Sequence, residues 1–242
     1  MRICYVVPGV GLKPEEKARR SGILNAIAAP GTTIVVDGVK EGPKSIENAV
    51  DEYFAMPNVL DFIIKNNDDY DGFIIGCAGD AGLEGAREQS AKPVVGPGES
   101  TLLLGTVGDK RFSMVTISLE RARMKRRMVR EAGLAEHRLV SSHALGIPVL
   151  ELYKDKARTK DRLIEMLVEA KAAGAETMLL GCMSVAFMEP EILYEASSAA
   201  GLPLVNPIVS AVKMAEALVF MSQYGAPKAD ASLRSAAHAG AR

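Results

Sequence analysis

The chain has 242 residues, 48% of them hydrophobic, and a formal net charge of −1. That balance is enough for a well-buried core in one large or two small α/β domains, and it lacks the charge bias that nucleic acid or an anionic membrane surface would favour. No apolar run reaches the roughly 18–20 residues of a bilayer span, and residues 3–7 are too few for a signal-peptide core, so a cytoplasmic location is expected.

Strand signals alternate with helix signals, the pattern of parallel sheets joined by crossover helices. Residues 3–7 read as a first strand. Residues 14–29 read as a helix, with Pro14 at its start and Pro30 beyond its end. A second strand follows at 32–36, then helical segments at 45–54 and 58–65, broken at Pro57. Residues 72–75 form a third strand, 80–89 a helix, and 93–96 a fourth short strand. The order then repeats: a strand at 111–116, a helix at 120–132 ended by Gly133, and a strand at 138–141. An amphipathic helix covers 160–173, a strand 177–180, and a helix 189–200 ended by Gly201. The short strand of 203–207 closes the series. Each fourth strand is followed by a helical segment, 99–106 and 208–222, which by the symmetry crosses to the opposite lobe. The tail from residue 225 is rich in Ala, Ser and Gly and reads as flexible.

The repeat is regular. Arg111 follows Arg2 by 109 positions, Cys182 follows Cys77 by 105, and Pro203 follows Pro93 by 110. A near-constant offset implies duplication. The expected fold is α/β, with two similar three-layer lobes of mainly parallel sheet related by a pseudo-two-fold axis. The first lobe takes residues 1–98 plus 208–224, the second 99–207.

Each half carries a strand that ends in Gly-Cys: Gly76-Cys77 and Gly181-Cys182. Ligands of open parallel sheets bind beyond the carboxyl ends of the strands. Two thiols at equivalent ends of facing lobes would flank one substrate. Inversion of a carbon next to a carbonyl needs one proton removed from one face and another delivered to the opposite face, which two groups do without moving. A thiol suits this work, and the helix predicted after each cysteine would favour the thiolate. Gly76, Ala78 and Gly79 leave backbone N–H groups uncovered, and these can hold the oxygen that becomes negative. No metal and no phosphate-bearing cofactor is needed. His137, His143 and His238 are scattered, there is no Cys-x-x-Cys, and Gly96-Pro97-Gly98-Glu99-Ser100 lacks the Gly-Lys-Ser/Thr ending of a phosphate loop.

The stretch Asp71-Gly72-Phe73-Ile74-Ile75-Gly76-Cys77-Ala78-Gly79-Asp80-Ala81-Gly82-Leu83 resembles the first cysteine motif of the hydantoin racemases, within the aspartate/glutamate racemase superfamily. Lys92-Pro93-Val94-Val95-Gly96, the strand at 111–116, Gly146-Ile147-Pro148-Val149-Leu150 and Leu179-Leu180-Gly181-Cys182 are also similar to that group. The resemblance covers residue 1 to about residue 222. It implies two α/β lobes, Cys77 and Cys182 as the two bases, no cofactor, and a homo-oligomer. Three places depart from the family pattern: Val7-Pro8-Gly9 stands for Asn-Pro-Asn, Met183-Ser184-Val185 for Ala-Gly-Met, and Ala78 and Ala81 for Phe and Pro. The pair is kept while the lining beside it is changed.

The substrate expected is a 5-substituted hydantoin or related cyclic ureide, contacted by Pro8, Gly76, Ala78, Gly79, Asp80, Thr116, Ser118, Gly181, Met183 and Ser184. Two other reactions fit the scaffold, an amino-acid racemase of the aspartate/glutamate type and a maleate-type cis–trans isomerase with a nucleophilic cysteine. A two-lobed binding protein without catalysis is the alternative from another class. Several residues have plainer readings. Cys4 packs in the first strand. Asp80 caps the helix that follows it. His143 sits solvated in a loop. The basic run of residues 121–130 is a solvated helix face. The methionines fill the core.

Overall fold

The inner strands among eight short ones are apolar nearly throughout, as strands covered on both faces must be, while most edge strands are only half-buried. In the computed structural model the eight form two parallel four-stranded sheets. The structure describes residues 1–225, so the tail expected from residue 225 lies, past its first residue, outside the described residues. The first half contains β1 (Arg2–Val7), α1 (Pro14–Ile27), β2 (Thr33–Gly38), α2 (Ala49–Lys65), β3 (Gly72–Ile75), α3 (Leu83–Gln89), β4 (Val94–Val95) and α4 (Pro97–Gly105). The second contains β5 (Phe112–Thr116), α5 (Leu119–Glu131), β6 (Leu139–Ala144), α6 (Lys156–Ala172), β7 (Thr177–Leu180), α7 (Met183–Ala186), α8 (Pro190–Ala200), β8 (Leu204–Val205) and α9 (Pro207–Gly225). Among the described residues, no helix is long and apolar enough to cross a membrane.

The strand orders are β2-β1-β3-β4 and β6-β5-β7-β8, the same order in both halves. The duplication extends to single hydrogen bonds. Arg2 N donates to the Asp71 carboxylate at 2.7 Å, and Arg111 N donates to the Glu176 carboxylate at 2.8 Å. Phe73 N donates to Pro93 O and Met178 N to Pro203 O, both at 2.9 Å. The helices after the fourth strands cross over. α4 packs on β7 and α5, while α9 packs on β3, β4 and α1, and the two helices pack on each other. One apolar core runs through both halves, with Tyr5 and Phe187 meeting edge to face at 5.7 Å.

The largest differences from the sequence reading lie in three elements. The helix of residues 49–65 is continuous through Pro57. The carbonyl deprived of its helix partner there belongs to Tyr53, a residue 63% exposed, where water can satisfy it. Its start is set by Asn48, whose side chain accepts from Asp51 N at 3.0 Å. α6 begins four residues earlier than the pattern indicates, because Asp155 caps it through Arg158 N. β6 runs on to Ala144, so His143 lies in the sheet rather than in a solvated loop. Its Nε2 is 2.7 Å from Ser141 Oγ, its Nδ1 is 3.3 Å from Glu169, and partial burial holds its pKa down.

Candidate active site

Each cysteine is the second residue past the end of its strand. Gly76 N donates to Val6 O at 2.8 Å, and Gly181 N donates to Val115 O at 2.7 Å, so the two turns leave their sheets in the same way. Close approach excludes a side chain at the first position and crowds one at the second. A Cβ on Gly76 would lie 2.6 Å from Val6 O, and one on Gly181 3.0 Å from both Val115 O and Lys125 Cε. The next residue then turns away from the sheet. Cys77 and Cys182 both line one cavity of about 700 Å³, within the range of small-molecule sites. Cys4, by contrast, is fully buried in the first lobe's core, and burial pushes its thiol up to about 12.

Pro8, Gly76, Ala78, Gly79, Thr116, Gly181, Met183 and Ser184 also line the cavity. Asp80 and Ser118 do not. Ser118 caps α5, accepting from Arg121 N at 3.2 Å. Asp80 does not cap the helix that follows it. That helix begins only at Leu83, and Asp80 itself sits at φ 58, a left-handed conformation that Asp tolerates. Its carboxylate accepts from Gly98 N at 2.8 Å and Glu99 N at 2.7 Å, so it caps α4 instead. Asp80→Ala is expected to cost about 1–2 kcal/mol through loss of this cap, read as a lowered urea midpoint with unchanged m-value.

The thiols are not held low. Cys77 is followed by a turn rather than a helix, and burial pushes it up to about 11, opposed by Arg121 and by the N–H of Gly79, which donates to Sγ at 3.4 Å. Glu52 and Asp80 add to the upward push. Cys182 stands at the N-cap position of the four-residue α7. Burial raises it as well, opposed by the N–H groups of Val185 and Ser184 and by Arg20 and Lys125. Desolvation therefore outweighs the helix ends on which the sequence reading relied. Thr116 Oγ1 donates to Gly181 O at 3.3 Å and so braces the second cysteine turn.

The basic run on α5 is not uniformly solvated. Arg121 and Lys125 are buried with Ala122 and Val129 on the face turned inward. Arg121 Nη1 pairs with Glu52 of α2, and its guanidinium fills the space that a Cβ on Gly79 would take. In the matching helix of the other half, α1, Arg20 is also buried. Its Nη2 donates to Ser184 Oγ at 3.2 Å, two residues past Cys182, and its Nε pairs with Glu16 at 2.9 Å. Each half thus sends a guanidinium from its first helix to the cysteine turn of the other half, and both arginines line the cavity. Tyr153 adds a hydrogen bond from its hydroxyl to Ser184 O at 2.5 Å. The sequence did carry a signal for the α5 cations. Ala122, Met124, Met128 and Val129 are its only apolar residues after Leu119, too few to cover a sheet, so some basic positions had to turn inward. Among the described residues, no cluster of three or more His, Cys, Asp or Glu has the arrangement of a metal site.

The profile of the Asp/Glu/Hydantoin racemase family matches residues 21–215. A hydantoin racemase of Pseudomonas sp. (strain NS671) is 36% identical over 198 residues, which are 79% of this chain and 76% of that protein. The structure of an allantoin racemase from Klebsiella pneumoniae superposes with a TM-score of 0.79 at 30% identity, covering 96% of this chain and 95% of the other. An allantoin racemase from Pseudomonas fluorescens superposes with a TM-score of 0.82 at 25% identity, covering 95% and 98%. A match over most of the sequence, joined to the same two-sheet architecture, shows that the chain belongs to the Asp/Glu/Hydantoin racemase family.

Proposed function

We propose that this chain is a cofactor-independent racemase or epimerase of a carbon acid, with a 5-substituted hydantoin or related cyclic ureide as substrate. The observation that carries the reading is the placement of Cys77 and Cys182 at equivalent strand ends on the wall of one cavity. One thiol, ionised, removes the proton from the carbon between the ring carbonyl and the side chain. The electrons pass to the carbonyl oxygen, and the second thiol, protonated, delivers its proton to the opposite face. For the other enantiomer the two exchange roles. The developing oxyanion is met by backbone N–H groups after each cysteine and by the buried guanidinium groups of Arg20 and Arg121, preorganised donors whose effect is strongest where water is excluded. The hydantoin and allantoin racemases among the relatives support a cyclic ureide as the substrate class. The family resemblance also supports a homo-oligomeric enzyme of the cytoplasm with the small-molecule substrate as its partner.

The test is solvent exchange. The protein is incubated in heavy water with single enantiomers of several 5-substituted hydantoins and of free amino acids, followed by polarimetry and proton NMR. Loss of optical rotation with uptake of one deuterium at the reacting carbon of a hydantoin is the expected result. If none of the compounds exchanges that proton, the reading fails. If only an amino acid does, the ureide assignment fails and the reaction type stands.

A further inference from the structure

Lys125 is a buried cation that the core does not explain. It is 1% exposed, and its ammonium donates to one oxygen, Ala78 O at 3.3 Å, with Met128 Sδ as a weak second acceptor at 3.3 Å. It forms no ion pair among the described residues. An ammonium buried with one oxygen partner for three N–H groups is unfavourable, and a methionine would fill the same space without that penalty. Packing alone therefore does not account for a lysine here.

Its location does. Ala78 directly follows Cys77, and Gly181 directly precedes Cys182. A Cβ on Gly181 would lie 3.4 Å from Lys125 Nζ. The ammonium is thus wedged between the two cysteine turns, behind the cavity wall and out of reach of substrate. The groups that face it are Cys77 and Asp80 from the turn after β3, Cys182 from the turn after β7, and Arg121 one turn away on its own helix. Burial is the largest influence on it and lowers it to about 8, Arg121 adds to that, and the two thiols with Asp80 oppose it. Around the thiols stand Arg121 and Glu52 beside Cys77 and Arg20 beside Cys182, with the buried phenol of Tyr5 and the half-buried phenol of Tyr153 nearby.

We infer that Lys125 is the shared counter-ion of the thiol pair, holding the single negative charge of the pair's working, singly protonated form whichever sulfur bears it. The inference deepens the two-thiol reading and rests on it. A pair of acid–base thiols works with one proton between them, and that proton changes sides at every turnover. Arg20 serves the second turn alone, and Arg121, although its charge reaches both thiols, lies against the first turn and is already paired with Glu52. Lys125 bonds the first turn and lies in the space beside Gly181 of the second, so moving the charge from one sulfur to the other does not strand it from its cation. Lys125 is a positioning residue in this scheme, acting through the thiols.

The test uses the full chain without substrate. Alkylation by iodoacetamide is followed against pH, and Cys77 and Cys182 are read separately by peptide mass. Lys125→Met is expected to raise the midpoints of both thiols by about one pH unit or more, an effect of the size an opposite charge at this range exerts. Its thermal midpoint is expected to equal or exceed the wild type's. Midpoints unchanged at both sites, or moved at one only, overturn the proposal. If Lys125→Met does not fold, the converse coupling is read in Cys77→Ser and Cys182→Ser, by the pH titration of the Lys125 ε-carbon in NMR. Loss of either thiol is expected to lower the Lys125 titration point, and an unmoved point in either variant overturns the shared role. Neither readout depends on turnover. A protein that racemises nothing yet shows the coupling loses the racemase reading alone, and one that racemises without the coupling loses this inference alone.

Discussion

Cys77→Ser and Cys182→Ser are each expected to lower racemisation by about 10²- to 10⁴-fold while each keeps one half of the exchange chemistry. A serine hydroxyl is a far weaker acid than a thiol, so the substituted side can neither take nor give the proton at a useful rate. The remaining thiol still faces one side of the substrate. When it ionises it can remove the proton of the enantiomer that presents its C–H to that side, exchange it with solvent, and return a deuteron to the same face. That enantiomer gains deuterium and keeps its configuration. The two variants should therefore label opposite enantiomers in heavy water, with optical rotation nearly constant in both. This outcome needs the thiols on opposite faces, which the equivalent positions past β3 and β7 support. Labelling of the same enantiomer by both variants, or racemisation that survives either substitution, would remove the two-base scheme. The pH dependence has a defined sign. Burial raises both thiols above the ordinary range, Cys77 to about 11, so the free enzyme is mostly doubly protonated near neutrality, and kcat/KM should climb with pH from neutral into the alkaline range.

The features legible in the sequence are those set by local pattern. A parallel strand covered on both faces is a continuous apolar run, and β3 and β7 are each followed by the same Gly-Cys, so the duplication and the position of both cysteines could be read directly. The turn glycines are fixed by the neighbouring strand, a repeat of the same contact in each half. What the sequence did not display depends on contacts between distant segments. Asp80 stands before α3 yet caps α4, because α4 returns to that turn through the fold. Arg121 and Lys125 belong to a run of basic residues that looks like a solvated face, and only their i, i+4 spacing on the side of Ala122 and Val129 marks them as inward. Arg20 reaches Ser184 across the two halves, a contact that no local signal encodes. The upward shift of the thiols has the same origin. A helix end can be read from sequence, but the desolvation that outweighs it is set by how closely the opposite half covers the turn.

The ion pair of Glu52 and Arg121 carries the second large expectation, on stability. Glu52 is 7% and Arg121 6% exposed, and the pair joins α2 of the first half to α5 of the second. Taking one partner away leaves the other buried without compensation, at a cost of about 3–5 kcal/mol. Arg121→Met and Glu52→Gln should each lower the urea midpoint by a corresponding amount at unchanged m-value. The double variant Glu52→Leu/Arg121→Met removes both charges and should regain most of that loss, since two apolar side chains of similar volume can replace a buried pair at little or no cost. Activity should not return with it. Arg121 is the guanidinium of the first cysteine turn and part of the cavity wall, so the double variant is expected to fold well and to turn over poorly. Additive losses in the double variant would mean that the two residues stabilise the protein independently. Full recovery of turnover together with stability would show that Arg121 serves only to neutralise Glu52. A stable, slow double variant is the result that separates the two jobs of this arginine, joining the halves and supplying positive charge at Cys77.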